Sequence, residues 1–205
     1  MGNTASNVSV GKPEIGGAVF RAPLGTTLPT SPGTTLSSAF KCLGYISSDG
    51  VTNSQTRETS ETTAWGGDVV LTPQTKKTDT YKMTLIESLN LEVLKVAYGD
   101  SNIEGTSLET GITVKANSKE LDHAVYVIDR IYNDGTKSRT VIPDGHPTTV
   151  DDINYKDNDP VGFPVTITAH PFESFGGDTH REYLKKTASG QSGQSGQSGQ
   201  SGTGH

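Results

Sequence analysis

Histidines are the side chains of this chain with the clearest capacity to bind a metal ion. They occur at His123, His146, His170, His180 and His205, and no two share the short spacing at which zinc ligands recur in a sequence. His123 falls in a strand-like run, where a histidine is more often packed or at an interface than bound to a metal. The spacing therefore predicts no metal site.

The single cysteine and the longest acidic run have simpler structural explanations. Cys42 lies between Phe40 and Leu43, which predicts a thiol packed in a strand, and a lone cysteine cannot form an internal disulfide. Residues 151–159 offer carboxylates for calcium, but they lack the glycine and final glutamate of a calcium-binding loop. Because Asp and Asn favour turns, we expect a solvated loop there.

No recognisable catalytic or cofactor motif is present. The pairs Gly16-Gly17 and Gly66-Gly67 do not belong to a phosphate-binding glycine motif, and no nucleophile elbow of the form G-x-S-x-G occurs. We therefore predict a protein that is not an enzyme, with no catalytic residue and no cofactor.

The composition limits the partners. Apolar residues make up 31% of the 205 residues, and the formal net charge is −6. A protein that wraps nucleic acid needs a Lys/Arg-rich surface, so this balance argues against tight binding of DNA. No apolar run has the length needed to cross a membrane, and the first residues lack the apolar core of a signal peptide.

The apolar patterning predicts a mainly β fold with one helix. Residues 89–98 carry apolar side chains at helical spacing, with Ser88 as the predicted N-cap and Gly99 as the predicted stop. The predicted strands are short runs bounded by turn residues: 40–46, 68–72, 78–86, 112–115, 121–132, 137–142 and 161–170. Residues 124–128 are almost continuously apolar, which indicates burial on both faces. Residues 143–160 are predicted to be turn-rich.

Three segments are predicted along the chain. Residues 1–38 contain four prolines and should form an extended arm rather than a packed element, although Ile15 and residues 18–20 could add a strand to a neighbouring sheet edge. A loosely ordered terminus explains the same composition equally well. Residues 39–187 form the β domain, and residues 188–205, rich in Gly, Gln and Ser, form a flexible tail.

A polar stretch of about twenty residues separates two of these strands and is predicted to be a long loop. It contains Arg57, Glu58 and Glu61 and ends at Trp65, the only tryptophan in the chain. A solvated loop with an incidental aromatic residue and a loop packed against a neighbouring subunit fit this stretch equally well.

Several features in order resemble the major tail tube proteins of long-tailed bacteriophages. They are the Gly/Pro-rich arm, Gly44-Tyr45-Ile46 before Asp49-Gly50-Val51, the loop from Arg57 to Trp65-Gly66-Gly67, the helix and the late hairpins. The resemblance implies a β-sandwich or barrel with one flanking α-helix, a long loop and an extended N-terminal arm. It also favours Arg57, Glu58, Glu61, Trp65 and Phe20 as contacts between subunits or rings.

The resemblance further implies a function and partners. Such proteins form homo-hexameric rings that stack into a hollow tube, and DNA passes through the lumen from the capsid to the host cell without specific binding. A tape measure protein, a tail terminator and a distal tail protein are the implied partners. We therefore expect a location in the virion tail, and in the host cytoplasm during assembly. The alternative is a capsid-decoration or adhesion β-sandwich module, which would share the Thr-rich strands.

Overall fold

Strands dominate the computed structural model, which describes residues 2–14 and 17–186. The one α-helix of these residues, α1, spans Leu91–Tyr98. The strands are β1 Gly11–Pro13, β2 Val19–Pro23, β3 Lys41–Cys42, β4 Ile46–Thr59, β5 Thr62–Thr63, β6 Val69–Leu71, β7 Gln74–Leu85, β8 Ile103–Glu104, β9 Thr113–Val114, β10 Ala124–Tyr132, β11 Thr136–Val150, β12 Phe163–Ala169 and β13 Arg181–Lys186. The predicted mainly β fold with one helix is confirmed. Ile15 and the predicted tail, 188–205, lie outside the described residues.

Nine of these strands form one antiparallel sheet. Its order is β3-β2-β10-β11-β12-β7-β4, while β1 also pairs with β10 and β13 also pairs with β11. Strand β11 connects the two halves, because it pairs with β10 up to Gly145 opposite Ala124 and with β12 from Gly145 opposite Ala169. Among the described residues, no helix has the length and apolar content that a membrane span requires.

Strand β10 is buried on both faces, as its continuous apolar run predicts. Its side chains alternate between two apolar cores. Tyr126 and Ile128 pack in the larger core with α1, whereas Val125 and Val127 pack in the smaller core on the opposite face. The alternation predicted for the last core strand is also confirmed, since Phe163, Val165, Ile167 and Ala169 of β12 are all buried.

Strand β11 extends through residues 143–150, so the predicted turn-rich segment begins later than expected. Two prolines and a glycine suggested a turn, but the strand accommodates them. Gly145 is needed where the strands are closest, because a Cβ atom there would lie 2.5 Å from the ring of Tyr126. Pro147 falls at a shift in register with β12, a position at which a missing N–H is tolerated.

Helix α1 follows its predicted apolar pattern but begins later than expected. Asn90, not Ser88, is the N-cap, and its side-chain oxygen accepts a hydrogen bond from the Glu92 N–H at 3.0 Å. Gly99 ends the helix as predicted, with a positive φ of 94°. The buried face, which includes Val93 and Val96, packs in the larger core.

The prediction that residues 1–38 form no packed element is wrong for Val19–Pro23. These residues form β2, which lies between β10 and β3 in the sheet. Val19 and Ala22 are 0% and 2% exposed, so this strand is part of the core rather than available to a neighbouring sheet. A five-residue strand that ends at a proline is too short for a periodic signal to outweigh the flanking turn composition.

A buried ion pair attaches the rest of the N-terminal segment to the sheet. Arg139 on β11 donates two hydrogen bonds of 2.7 Å to the Asp129 carboxylate on β10. The same guanidinium donates to the backbone carbonyls of Ser31 and Thr34, at 3.0 and 2.6 Å. Both charged side chains are almost fully buried, so each charge depends on its partner for compensation in place of water.

Removal of one partner should therefore be costly. We expect Asp129→Ala to lower the free energy of unfolding by about 3–5 kcal/mol, because it leaves the Arg139 charge buried without a counterion. Lys76→Ala is the matched control, since the Lys76–Glu58 pair is exposed, and it should change stability by no more than about 0.5 kcal/mol. Urea unfolding followed by circular dichroism measures both. Equal losses would contradict the role given to the buried pair.

Candidate functional site

The predicted polar loop is instead a long β-hairpin, and the loop prediction is wrong. Strand β4 pairs with β7 from Ile46 opposite Leu85 to Thr59 opposite Gln74, and the shorter strands β5 and β6 continue the ribbon toward Trp65. Both faces of the outer ribbon meet solvent, so the sequence there has no alternation of apolar and polar residues. Its many threonines, which favour strands, are the only local signal.

The outer part of this hairpin receives little support from the domain. Every residue from 52 to 77 is exposed. At about 3.3 Å per residue, the ribbon from Thr52 to Trp65 is roughly 40 Å long. Because an isolated two-stranded ribbon is at best marginally stable in water, it gains most by packing against another surface.

The far end of the hairpin carries exposed apolar side chains. Trp65 is fully exposed, and Val69, Val70 and Leu71 are 51–62% exposed. Together they put the chain's one tryptophan and three aliphatic residues at the end of the ribbon most distant from the core. A group of this kind, surrounded by polar residues, is typical of a protein–protein contact.

The charged residues predicted as contacts lie on the same ribbon as Trp65. Glu58 forms an exposed ion pair with Lys76, with 3.4 Å between Oε1 and Nζ. Arg57 lies directly opposite Lys77, so two positive charges face each other across the strands. Like charges in such a pair are destabilising, and an acidic partner surface would relieve them. Glu61 is exposed between β4 and β5.

The structure does not bring Phe20 to this surface. Phe20 is partly buried on β2, opposite Val127 on one side and Cys42 on the other, and it packs against the smaller core. Its predicted role as a contact between subunits stays a prediction, and it has less free surface than Trp65 for that role.

The free edge of β4 provides a second candidate surface. Strand β4 is last in the sheet order and, within residues 2–14 and 17–186, pairs only with β7. It spans 14 residues, from Ile46 to Thr59. A long edge of this kind presents unpaired backbone N–H and C=O groups that another chain can pair with.

Three histidines that are distant in sequence meet at one end of the sheet. His123 precedes β10, His146 lies on β11 and His170 follows β12. Each offers a ring nitrogen, and these atoms all lie within 4.8 Å of one another. The pKa of His146 is lowered from its usual value, mainly by burial and next by the neighbouring His123. Sequence spacing could not reveal this group, because strand order brings it together.

The other candidates from the sequence have structural roles. His180 Nδ1 lies 2.5 Å from Oδ2 of the buried Asp79, whose same oxygen accepts a hydrogen bond from Thr179. This cluster holds the segment before β13 against β7. Residues 151–159 form an exposed stretch without helix or strand, as predicted, and Lys156 pairs with Asp159 there at 3.3 Å.

Comparisons with known proteins match this chain to one protein family and to a solved structure. A family model described as "Phage tail tube protein" matches residues 1–186. A solved structure, the "anti-feeding prophage cap (AFP tube terminating cap)", is 10% identical and covers 91% of this chain and 100% of its own, with a TM-score of 0.44. No curated protein matches the sequence.

The exposure of residues 52–77 leads to a prediction about the stability of the hairpin in the monomer. We expect the backbone amides of residues 52–77 to exchange hydrogen much faster than those of β10, because the ribbon opens without disturbing either core. Hydrogen–deuterium exchange read out by mass spectrometry at low protein concentration measures both segments together. Equally slow exchange in the two segments would show that the hairpin is stable alone.

Proposed function

We propose that this chain, which belongs to the phage tail tube protein family, assembles into homo-hexameric rings that stack as a hollow tube. The chain is a structural component of a phage tail. In the proposed assembly, the lumen conducts DNA from the capsid to the host cell.

The long hairpin is the single observation that carries this proposal. Its residues 52–77 are exposed on both faces, and the apolar group at its end includes Trp65. A ribbon of roughly 40 Å is long enough to reach beyond one domain onto a neighbour. Packing there would bury the Trp65 ring and supply the second surface that the ribbon lacks.

The free edge of β4 supports closure of a ring. Pairing of this edge with a neighbouring subunit would satisfy its backbone groups, and repetition around six subunits would remove every such edge. A heterologous contact of this kind closes only when the rotation between subunits fits a ring. Stacking of rings would then use the end of the hairpin, with Arg57, Glu58, Glu61 and Trp65.

The charge of the chain supports passage of DNA rather than binding. A formal charge of −6 per subunit gives an assembled tube a net negative charge. A net negative charge disfavours retention of phosphate groups, which is compatible with DNA sliding through the proposed lumen.

The proposed tube needs partners at its ends and within its lumen. We assign these roles to a tail terminator, a distal tail protein and a tape measure protein. Assembly would take place in the host cytoplasm, before the tail enters the virion.

Electron microscopy of the purified protein tests the proposed function. We expect six-fold rings or tubes in negative stain at high protein concentration, or after addition of the initiating tail complex. Compact monomers or trimers under both conditions would overturn the proposal and favour the capsid-decoration or adhesion module.

Trp65→Ala tests the contact at the end of the hairpin. Loss of a buried aromatic contact costs about 2 kcal/mol, so the protein concentration needed for tube growth should rise about 30-fold, while the monomer stays folded. Tyr155→Ala is the matched control, because this aromatic residue is 75% exposed outside the hairpin. Light scattering against concentration measures growth. Equal growth of both variants would contradict the assignment of Trp65.

A further inference from the structure

We propose that His123, His146 and His170 form a binding site for a divalent transition metal ion such as Zn²⁺. This site goes beyond the proposed tube function and does not depend on it. Three histidine nitrogens with an open fourth position form a well-known donor set for zinc, and imidazole also suits copper, nickel and cobalt. His146 lies on β11, His123 directly precedes β10 and His170 directly follows β12, so a bound ion would link these three neighbouring strands.

The distances in the cluster are within reach of coordination. The ligand nitrogens lie within 4.8 Å of one another. Zinc–nitrogen bonds of about 2.0–2.1 Å place tetrahedral ligands about 3.3 Å apart. Side-chain rotations that move each ring by about 1 Å would close the difference. The rings of His123 and His146 are now stacked, 4.4 Å between centroids, and would splay apart on coordination.

Asp144 orients the ring of one of the three histidines, His123. Its Oδ1 lies 2.6 Å from His123 Nδ1, which leaves His123 Nε2 for a metal ion. Its backbone carbonyl accepts a hydrogen bond from the backbone N–H of His170 at 2.8 Å, which holds the two chain segments together beside the cluster. A carboxylate bonded to the second nitrogen of a ligating histidine fixes the tautomer and raises the basicity of the ring.

His170 supplies a second, independent observation. Its Nε2 atom is buried and has no hydrogen-bond partner among the described residues. A buried polar atom without a partner is costly, and a metal ion at the cluster would satisfy it. Glu120 adds negative charge beside the site, since its Oε1 lies 3.8 Å from His146 Nε2.

Metal binding to untagged protein tests the proposal. After treatment with EDTA and dialysis, we expect titration calorimetry to show one equivalent of Zn²⁺ bound per chain. Co²⁺ should give the visible absorption of a four-coordinate site, and Zn²⁺ should raise the thermal midpoint because the ion binds only the folded sheet. Absence of a stoichiometric site for both ions at micromolar protein would overturn the inference.

Histidine variants locate the site. His146→Ala and His170→Ala should each lower Zn²⁺ affinity at least tenfold and abolish the thermal shift. The variant His180→Ala, which removes a histidine outside the cluster, should bind Zn²⁺ as the unsubstituted protein does. Asp144→Asn should weaken binding roughly 10-fold through the loss of the orienting charge.

Each outcome of this series is decisive. Circular dichroism in EDTA confirms that a variant is folded before its binding is compared. If His146→Ala does not fold, His123→Gln at the more exposed position gives the answer in the same assay. Unchanged binding in folded cluster variants, or an equal loss of binding in the folded His180→Ala control, would overturn the assignment.

Discussion

Strand β10 is the element on which the rest of the domain depends, because it is buried on both faces and paired along both edges. Its alternating side chains contribute to two separate apolar cores. Asp129, in the second half of β10, accepts a hydrogen bond from the Arg139 guanidinium of β11. The same guanidinium also donates hydrogen bonds to the backbone carbonyls of Ser31 and Thr34. The buried charge pair therefore couples the N-terminal segment to the centre of the sheet.

The outer part of the β4–β7 hairpin, unlike β10, is exposed to solvent. The inner part of the hairpin is anchored by Tyr81, Met83 and Leu85 in the larger core, whereas every residue from 52 to 77 is exposed. A domain with a stable core and a projecting ribbon that is only marginally stable by itself is suited to a repetitive assembly. In the proposed tube, the centre preserves the shape of each subunit and the ribbon joins one subunit to the next.

Apolar periodicity made part of this fold predictable from the sequence. Regular spacing revealed β12 and α1, each of which has one buried face, and a continuous apolar run revealed β10. Periodicity missed the hairpin because a ribbon solvated on both faces has no such spacing, and it missed β2 because that strand has only five residues and ends at Pro23. Trp65 could be named as a candidate contact because it is the one tryptophan of the chain and the resemblance to tail tube proteins favours an interface there. The meeting of His123, His146 and His170 required the order of β10, β11 and β12, which no local pattern records.

A cryo-EM reconstruction of the assembled protein tests the central claim most directly. We expect six-fold rings in which the β4 edge, Ile46–Thr59, pairs with the neighbouring subunit and the Trp65 ring is buried in a contact between subunits. An assembly in which residues 52–77 project freely into solvent, with subunits joined through other surfaces, would contradict the account.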